Sequence, residues 1–284
     1  MKLISYSKDG APSFGVVESD GVIDLGTSLK GVGDLSDLLA QHRVDEALKI
    51  ASSKSPSIAL GDVTFERTVP SPGKIFCIGV NYGGRNAEYK DGQDEALKPS
   101  VFVRFPDSLT GHDRALVRPP ESSELDYEGE IVAVIGTRGR RISRHDARKH
   151  IAGLMLGNEG TIRDWVRHAK FNVTQGKNWD SSGSIGPYLV TLDEIGALED
   201  LHLTTRVNGE LRQDDTPASM AFPIEFQIEY LSTFCTLEPG DIIFTGTPTG
   251  SGARLDPPRY LVPGDIVEVG VPELGTLRNS VRDE

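Results

Sequence analysis

Cysteine, aromatic residues and long apolar runs are all scarce in this sequence. Its 284 residues include only two cysteines, Cys77 and Cys235, which excludes a disulfide framework and a cysteine-rich zinc site. No stretch approaches the roughly 18 uninterrupted apolar residues that a transmembrane helix needs. Residues 1–7 are too short and polar a stretch for the apolar core of a secretory signal. We therefore expect no membrane partner and a cytoplasmic location.

Basic residues are also too few to balance the acidic ones. The chain has 30 Lys and Arg residues against 42 Asp and Glu residues, a formal net charge of -12. Such a charge disfavours binding to nucleic acid and to anionic membranes. The hydrophobic share of 37% is close to the globular norm, and a chain of this length buries a core without disulfides. An acidic enzyme with no nucleic-acid partner is the default expectation.

The pattern of apolar residues divides the chain into two predicted domains. Residues 1–70 form a small N-terminal α+β domain, with alternating strands at 2–6, 14–18 and 22–25 and helical spacing over 34–51. The Pro- and Gly-rich segment 69–73 is the expected hinge. Residues 71–284 form the larger, second predicted domain, in which the candidate site residues described below all lie.

The second domain is predicted to be mostly β. Strands are expected at 75–80, 100–105 and 128–135, and helices over 144–156, capped by Ser143, and over 223–234. Asn208-Gly209 between two apolar-rich runs is a strong hairpin signal. The fold class is therefore α+β, with strands predominating.

Acidic residues alternate immediately before an apolar run. Asp126, Glu128 and Glu130 precede residues 131–135, and in a strand they would share one face. Carboxylates at that spacing repel unless a cation lies among them, and hard ions such as Mg²⁺ and Mn²⁺ prefer oxygen ligands. The alternative is a solvated edge strand that uses acids to resist aggregation. The adjoining apolar run favours a metal site, which Glu159 could complete.

Seven ordered segments resemble motifs of the fumarylacetoacetate hydrolase superfamily, as found in bacterial members. They cover roughly the region from residue 70 to the end and comprise residues 74–82, 125–136, 158–164, 176–180, 185–188, 207–213 and 239–248. The resemblance implies a mixed β-sandwich roll, a Mg²⁺ or Mn²⁺ ion, a small anionic substrate and a homodimer.

The resemblance also implies roles for particular residues. Glu128 and Glu130 match metal ligands of the family, and Glu159 stands where the family has an aspartate ligand. Lys177 would contact a bound oxyanion or enolate. Four further residues are expected to bind substrate or support the shell around it: Tyr82, Arg104, Arg163 and Thr247.

One motif departs from the family pattern. Its hydrolases carry a His-x-x-Glu pair that activates water, whereas this chain has Arg85 in the histidine position, followed by Glu88. Arginine stays protonated and cannot act as a general base. Arg85 would instead bind a substrate carboxylate. The base is then Glu88 or His168, although the neighbouring Arg167 and Lys170 favour an exposed surface position for His168.

The first expectation for function is a metal-dependent hydrolase. It would cleave the C–C bond of a small 2,4-diketo acid, an acylpyruvate or a diketo-deoxy sugar acid, and release pyruvate. An isomerase or decarboxylase of a small 2-oxo or 2-hydroxy-diene dicarboxylic acid is the alternative. The missing histidine favours it, because neither reaction needs an activated water. A catalytically silent binding protein is the third possibility.

Overall fold

The chain is described here by a computed structural model covering residues 1–84, 88, 97–169 and 172–284. Over these ranges it contains 19 β-strands and four α-helices, so strands predominate as expected. None of the helices in these ranges has the length and apolar character to span a bilayer.

The N-terminal residues form short strands and two short helices. These elements are β1 (Lys2–Lys8), β2 (Ala11–Glu18), β3 (Gly21–Asp24), α1 (Leu35–Ala40), α2 (Val44–Ala51), β4 (Ile58–Ala59) and β5 (Thr64–Phe65). The helix predicted over 34–51 is thus interrupted. His42 between the two helices has a φ of 54°, a left-handed conformation that a continuous α-helix does not contain. Asp34 caps α1 by accepting a hydrogen bond from the Asp37 backbone N–H.

The remaining elements are mostly strands. In chain order they are β6 (Ile75–Gly79), β7 (Ser100–Val103), β8 (Leu109–Thr110), β9 (Leu116–Arg118), β10 (Leu125–Asp126), β11 (Gly129–Ile135), β12 (Ile151–Asn158), β13 (Thr161–Ile162), α3 (Thr174–Lys177), β14 (Gly183–Thr191), β15 (Leu203–Val207), β16 (Glu210–Asp215), α4 (Ile224–Phe234), β17 (Ile242–Phe244), β18 (Ile266–Val271) and β19 (Gly275–Asp283).

Two large sheets pack on each other. The twelve-stranded sheet runs β4-β3-β2-β1-β14-β12-β11-β17-β6-β7, with β5 beside β1 and β8 beside β14. The five-stranded sheet runs β16-β15-β18-β19-β9, and its inner residues share a core with β11, β12 and α4. This arrangement confirms the mixed β-sandwich roll. The N-terminal strands extend the large sheet, because β1 pairs with β14; the division into domains at residue 70 stays a prediction.

The helix predicted over 144–156 is wrong beyond its first turn. Ser143 does accept a hydrogen bond from the Asp146 backbone N–H, but only a single 3-10 turn, Ala147–His150, follows. The chain then enters β12, which pairs with β11 on one side and β14 on the other. A segment with apolar residues on both faces suits a central strand. Pairing with two neighbouring strands outweighs the helical spacing of these residues.

The predicted hairpin is confirmed and provides a clean stability test. Asn208 and Gly209 connect β15 to β16 with φ values of 53° and 80°. A Cβ added at Gly209 meets no atom within 4 Å, so a substitution costs only backbone strain. Gly209→Ala is expected to lower the free energy of unfolding by about 1 to 2 kcal/mol, measured by urea denaturation. Gly196→Ala is the control, because Gly196 has equal space and no left-handed φ; an equal loss in both variants would contradict this reasoning.

Candidate functional site

The antiparallel pairing of β11 with β12 brings three glutamates together. Gly129, the first residue of β11, lies opposite Asn158, the last residue of β12. Glu128 immediately precedes β11 and Glu159 immediately follows β12, so the two residues lie at the same end of the strand pair. The Glu159 backbone N–H donates to the Glu128 carbonyl at 2.8 Å, which holds the two residues side by side. With Glu130 they form a buried cluster in which one carboxylate oxygen from each residue lies within 4.8 Å of the others.

Glu130 is the deepest member of the cluster. Its Oε2 accepts a hydrogen bond of 2.7 Å from the Gly246 backbone N–H. Burial, followed by repulsion from Glu159 and Glu128, raises its pKa well above the usual value. Carboxylates in this arrangement need added positive charge to ionise together.

Lys177 provides part of that charge. Its Nζ donates to Glu128 Oε2 at 2.6 Å and to Glu159 Oε2 at 3.0 Å, and lies 5.1 Å from the centre of the Phe102 ring. Burial acts to lower the pKa of Lys177, but the Glu128 and Glu159 carboxylates outweigh it and raise the pKa above its usual value. The ammonium is therefore charged at neutral pH.

Asp126 does not join the cluster, although its spacing suggested that it shares the face of Glu128 and Glu130. Its Oδ2 accepts from Arg163 Nε at 2.7 Å, and Arg163 Nη2 in turn donates to Glu128 Oε1 at 2.8 Å. The strand is interrupted between β10 and β11, so the i, i+2 alternation does not hold across residues 127–128. Arg163 thus links Asp126 to Glu128.

The donor set fits a hard divalent cation. Acids outnumber bases in this region, where the four carboxylates are Asp126, Glu128, Glu130 and Glu159 and the three cations are Arg104, Arg163 and Lys177. Glu159 Oε1 is buried without a hydrogen-bond partner among the described residues, and Arg104 Nη1 lies 3.8 Å away. Ligand oxygens about 2.1 Å from one Mg²⁺ ion lie about 3 to 4 Å apart, so small side-chain adjustments suffice.

A cavity of about 630 Å³ opens onto the cluster. Its polar lining includes the three glutamates with Lys177, Arg163 and Thr247. Its apolar lining consists of Phe76, Ile78, Val101, Phe102, Val103, Val166, Val173 and Phe234. The cavity therefore combines a charged region with an extensive apolar wall, a common design for small-molecule sites.

Two further predicted residues, Thr247 and Glu88, differ in their relation to the cavity. Thr247 lines the cavity, and its hydroxyl donates to the Gly129 carbonyl at 2.9 Å while accepting from Gln213 Nε2 at 2.8 Å. Glu88 is half-buried and its Oε1 accepts from the Gly250 backbone N–H at 3.0 Å. Glu88 is not among the described residues that line the cavity, so its role as the base stays a prediction, as does the role of Thr247 beside a bound substrate.

Other predicted substrate contacts lie elsewhere. Arg104 is buried behind Glu159, where it donates to the Gly160 carbonyl at 2.8 Å, so it supports the backbone of a cluster residue. Tyr82 packs in the central core, and burial raises the pKa of its hydroxyl. Arg85 falls outside the described residues. The cavity lining includes neither Arg104 nor Tyr82 among the described residues, and their substrate contacts stay predictions.

His168 is exposed and does not line the cavity. Its ring stacks on Trp165 with centroids 4.1 Å apart. His168→Ala is therefore expected to change turnover by no more than about twofold, as exposed substitutions change free energies by about 0.5 kcal/mol. Steady-state kinetics checks this. A loss of about 100-fold with metal affinity intact would instead make His168 the base.

Sequence reasoning missed several groups that orient the cluster. Asn158 Oδ1 accepts from the Glu128 backbone N–H at 3.0 Å, and Gln213 Oε1 accepts from the Gly129 N–H at 2.9 Å. Gly246 supplies its N–H to Glu130, and a Cβ there would lie 2.6 Å from Asn81 Cβ. Asn158, Gln213 and Gly246 all belong to the segments that resemble family motifs, but no role was assigned to them from the sequence. Only the folded chain identifies their contacts.

The fold and the cluster together define a class of protein, a β-sandwich roll carrying a buried three-carboxylate site. The family model described as fumarylacetoacetate (FAA) hydrolase C-terminal matches residues 74–282. The chain belongs to the fumarylacetoacetate hydrolase family.

The relatives carry out more than one named reaction. An oxaloacetate tautomerase of Bacillus subtilis is 42% identical over 226 residues, or 78% of this chain and 74% of that protein. A solved structure of a probable 2-hydroxyhepta-2,4-diene-1,7-dioate isomerase from Mycobacterium abscessus is 34% identical, with a TM-score of 0.83 over 100% of this chain and 99% of the other. Maleylpyruvate hydrolase from Sphingobium sp. SYK-6, solved with manganese(II) and pyruvate, is 25% identical, with a TM-score of 0.82 over 100% and 99%.

Proposed function

We propose that this chain is a divalent-metal-dependent keto–enol tautomerase acting on a small 2-oxo dicarboxylic acid of the oxaloacetate type. The observation that carries the proposal is the charged Lys177 ammonium beside three buried glutamates on one cavity wall. Such a site suits a chelated 2-oxo acid and the enolate derived from it. The name of the Bacillus subtilis relative supports this reaction.

Glu128, Glu130 and Glu159 would hold Mg²⁺ or Mn²⁺ in this proposal. The bound ion supplies Lewis-acid polarisation of the 2-oxo group. The choice between the two metals is left to experiment, since carboxylate oxygens suit both.

The side chains of this protein transfer the proton and stabilise the enolate. The buried Lys177 donates a hydrogen bond to the C2 oxygen, which stabilises the enolate charge. In the keto-to-enol direction Glu88 takes a proton from C3, the C3–H electron pair forms the C2=C3 bond, the C2=O π pair moves to the C2 oxygen, and that oxygen takes up a proton from solvent. In the reverse direction the enol hydroxyl gives its proton to solvent and Glu88 returns a proton to C3. Arg163 and Thr247 line the cavity beside these groups and orient the substrate carboxylate.

A tautomerase ranks above a hydrolase because hydrolysis needs an activated water. The sequence has Arg85 where the hydrolases that it resembles have histidine. No histidine among the described residues lines the cavity. Proton transfer at C3 requires one base, which in this proposal is Glu88. Glu88 is held by Gly250, three residues beyond the cavity-lining Thr247, and must reach C3 of the bound substrate from there.

The C–C hydrolase of a 2,4-diketo acid is the second candidate. The cavity of about 630 Å³ and its aromatic wall of Phe76, Phe102 and Phe234 leave room for a longer acyl group. The maleylpyruvate hydrolase relative, solved with pyruvate, supports this reading. Decarboxylation would use the same enolate stabilisation by Lys177.

One assay distinguishes these reactions. Enol-oxaloacetate is mixed with the protein in the presence of Mg²⁺, Mn²⁺ or EDTA, and loss of the enol ultraviolet absorbance is followed. Metal-dependent acceleration without pyruvate supports the tautomerase. Pyruvate from oxaloacetate indicates decarboxylation, and pyruvate from an acylpyruvate or a diketo-deoxy sugar acid indicates hydrolysis. No metal-dependent turnover of any substrate would favour the silent binding protein. The homodimer and the cytoplasmic location stay predictions.

A further inference from the structure

The candidate base and the candidate metal ligands are joined through one short loop. We call residues 250–253 the glycine loop. The Gly250 backbone N–H donates to Glu88 Oε1 at 3.0 Å, and the Gly250 carbonyl accepts from the Tyr127 hydroxyl at 2.9 Å. Glu88 is thus held by the glycine loop, and the loop is held by the residue that follows Asp126.

Asp126 anchors the other end of the glycine loop. Its Oδ1 accepts from the Gly252 N–H at 2.8 Å and its Oδ2 from the Ala253 N–H at 3.1 Å. The same carboxylate binds Arg163, which donates to Glu128. Asp126 is fully buried, so water does not compete for these hydrogen bonds.

The loop has little space in which to shift. A Cβ built at Gly250 would lie 2.0 Å from the Arg212 carbonyl oxygen, and one at Gly252 would lie 2.1 Å from the Arg259 carbonyl oxygen and 2.8 Å from Asp126 Oδ1. Close backbone contact on both sides makes the loop a fixed frame. A group attached to it keeps its position relative to β11.

We propose that Asp126 is a positioning residue that ties Glu88 and Glu128 to the same frame. It reaches Glu88 through the backbone of the glycine loop and Glu128 through Arg163. Asp126 is absent from the described cavity lining, so it acts through these residues. The proposal rests on the proposed function, in which Glu88 transfers the proton and Glu128 binds the ion. A base displaced by about 1 Å can lose about 100-fold in rate, so the frame matters for catalysis.

The first test measures affinity for Mn²⁺ alone by isothermal titration calorimetry. Asp126→Asn removes the charge that orients Arg163, and we expect Mn²⁺ affinity to fall by about 10- to 100-fold, as for other groups that orient metal ligands. Asp241→Asn is the matched control. Asp241 is equally buried and paired with Lys74 at 2.6 Å, but it does not line the described cavity. Its variant should bind Mn²⁺ like the unmodified protein.

The second test is a double-mutant cycle on turnover with Glu88→Gln. The cycle is run at Mn²⁺ concentrations that saturate every variant, so that only the effect through Glu88 is measured. If Asp126 acts through Glu88, Asp126→Asn then lowers kcat in the unmodified protein and adds little in the Glu88→Gln background. Tyr127→Phe removes only the hydroxyl that binds the Gly250 carbonyl. It should show the same dependence on Glu88 with a smaller loss, and it keeps the test valid if Asp126→Asn does not fold.

The outcomes separate the two proposals. Unchanged Mn²⁺ affinity in Asp126→Asn, or losses of kcat that add fully in both backgrounds, would overturn the positioning role while leaving the proposed function intact. An unmodified protein that neither binds Mn²⁺ nor turns over any substrate would overturn the proposed function itself. Weakened Mn²⁺ binding together with coupled losses of kcat supports the positioning role.

Discussion

Glu130→Gln is expected to abolish turnover and the stabilisation that Mg²⁺ or Mn²⁺ provides. Glutamine keeps the shape of the side chain and can still accept from the Gly246 N–H, but it removes one anionic ligand. An ion present at 100 times its Kd stabilises a protein by about 2.7 kcal/mol, and the variant should lose this gain. The measurement is the thermal unfolding midpoint with each ion and with EDTA.

The ion-free Glu130→Gln protein should remain folded. Burial and the neighbouring Glu159 and Glu128 carboxylates already raise the pKa of Glu130, so a neutral amide is compatible with the site. Asp241→Asn again controls for loss of a buried carboxylate outside the cluster. An ion-induced shift of normal size in Glu130→Gln would refute its assignment as a ligand.

Lys177→Met is expected to lower kcat by about 100- to 1000-fold, as for loss of an oxyanion-stabilising donor. The ammonium is held by Glu128 and Glu159 on the cavity wall, where it meets the developing enolate charge. Since Lys177 contributes no ligand atom, the variant should still show an ion-induced rise in the unfolding midpoint. Steady-state kinetics and thermal unfolding measure the two effects separately.

Removing Lys177 also leaves two buried carboxylates without their shared partner. Breaking a buried pair from one side costs about 3 to 5 kcal/mol, so the ion-free variant should be destabilised. Lys74→Met is the matched control, because it breaks the 2.6 Å pair with buried Asp241 away from the cavity. It should lose stability and keep turnover. Retention of turnover in Lys177→Met would remove Lys177 from the chemistry.

The positions of Glu128 and Glu130 could be predicted because their spacing is local, whereas Glu159 meets them only through the pairing of β12 with β11. Glu130 lies in β11 and Glu128 immediately precedes it, and the period of two along an extended chain puts them on one side. The same rule was wrong for Asp126, since the extended chain is broken before Glu128. Spacing predicts side-chain direction only within an unbroken element.

The helix predicted over 144–156 illustrates the other limit. Ser143 and Asp146 form the local capping contacts that the sequence indicated. Whether the following apolar residues continue as a helix depends on their neighbours in space, and β11 and β14 supply strand partners on both sides. Tertiary pairing overrode a weak local preference.

The sequence by itself determined the acidic composition, the hairpin at Asn208-Gly209, the order of the family motifs and the Glu128–Glu130 pair, since these depend on composition or on residues close along the chain. Only the tertiary structure decided that Asp126 anchors the glycine loop, that Arg104 lies behind Glu159 and that His168 is exposed. The Asp126 and Arg104 contacts join residues more than 50 positions apart. Local pattern carries no information about which distant groups will meet, because packing of the whole fold sets those distances.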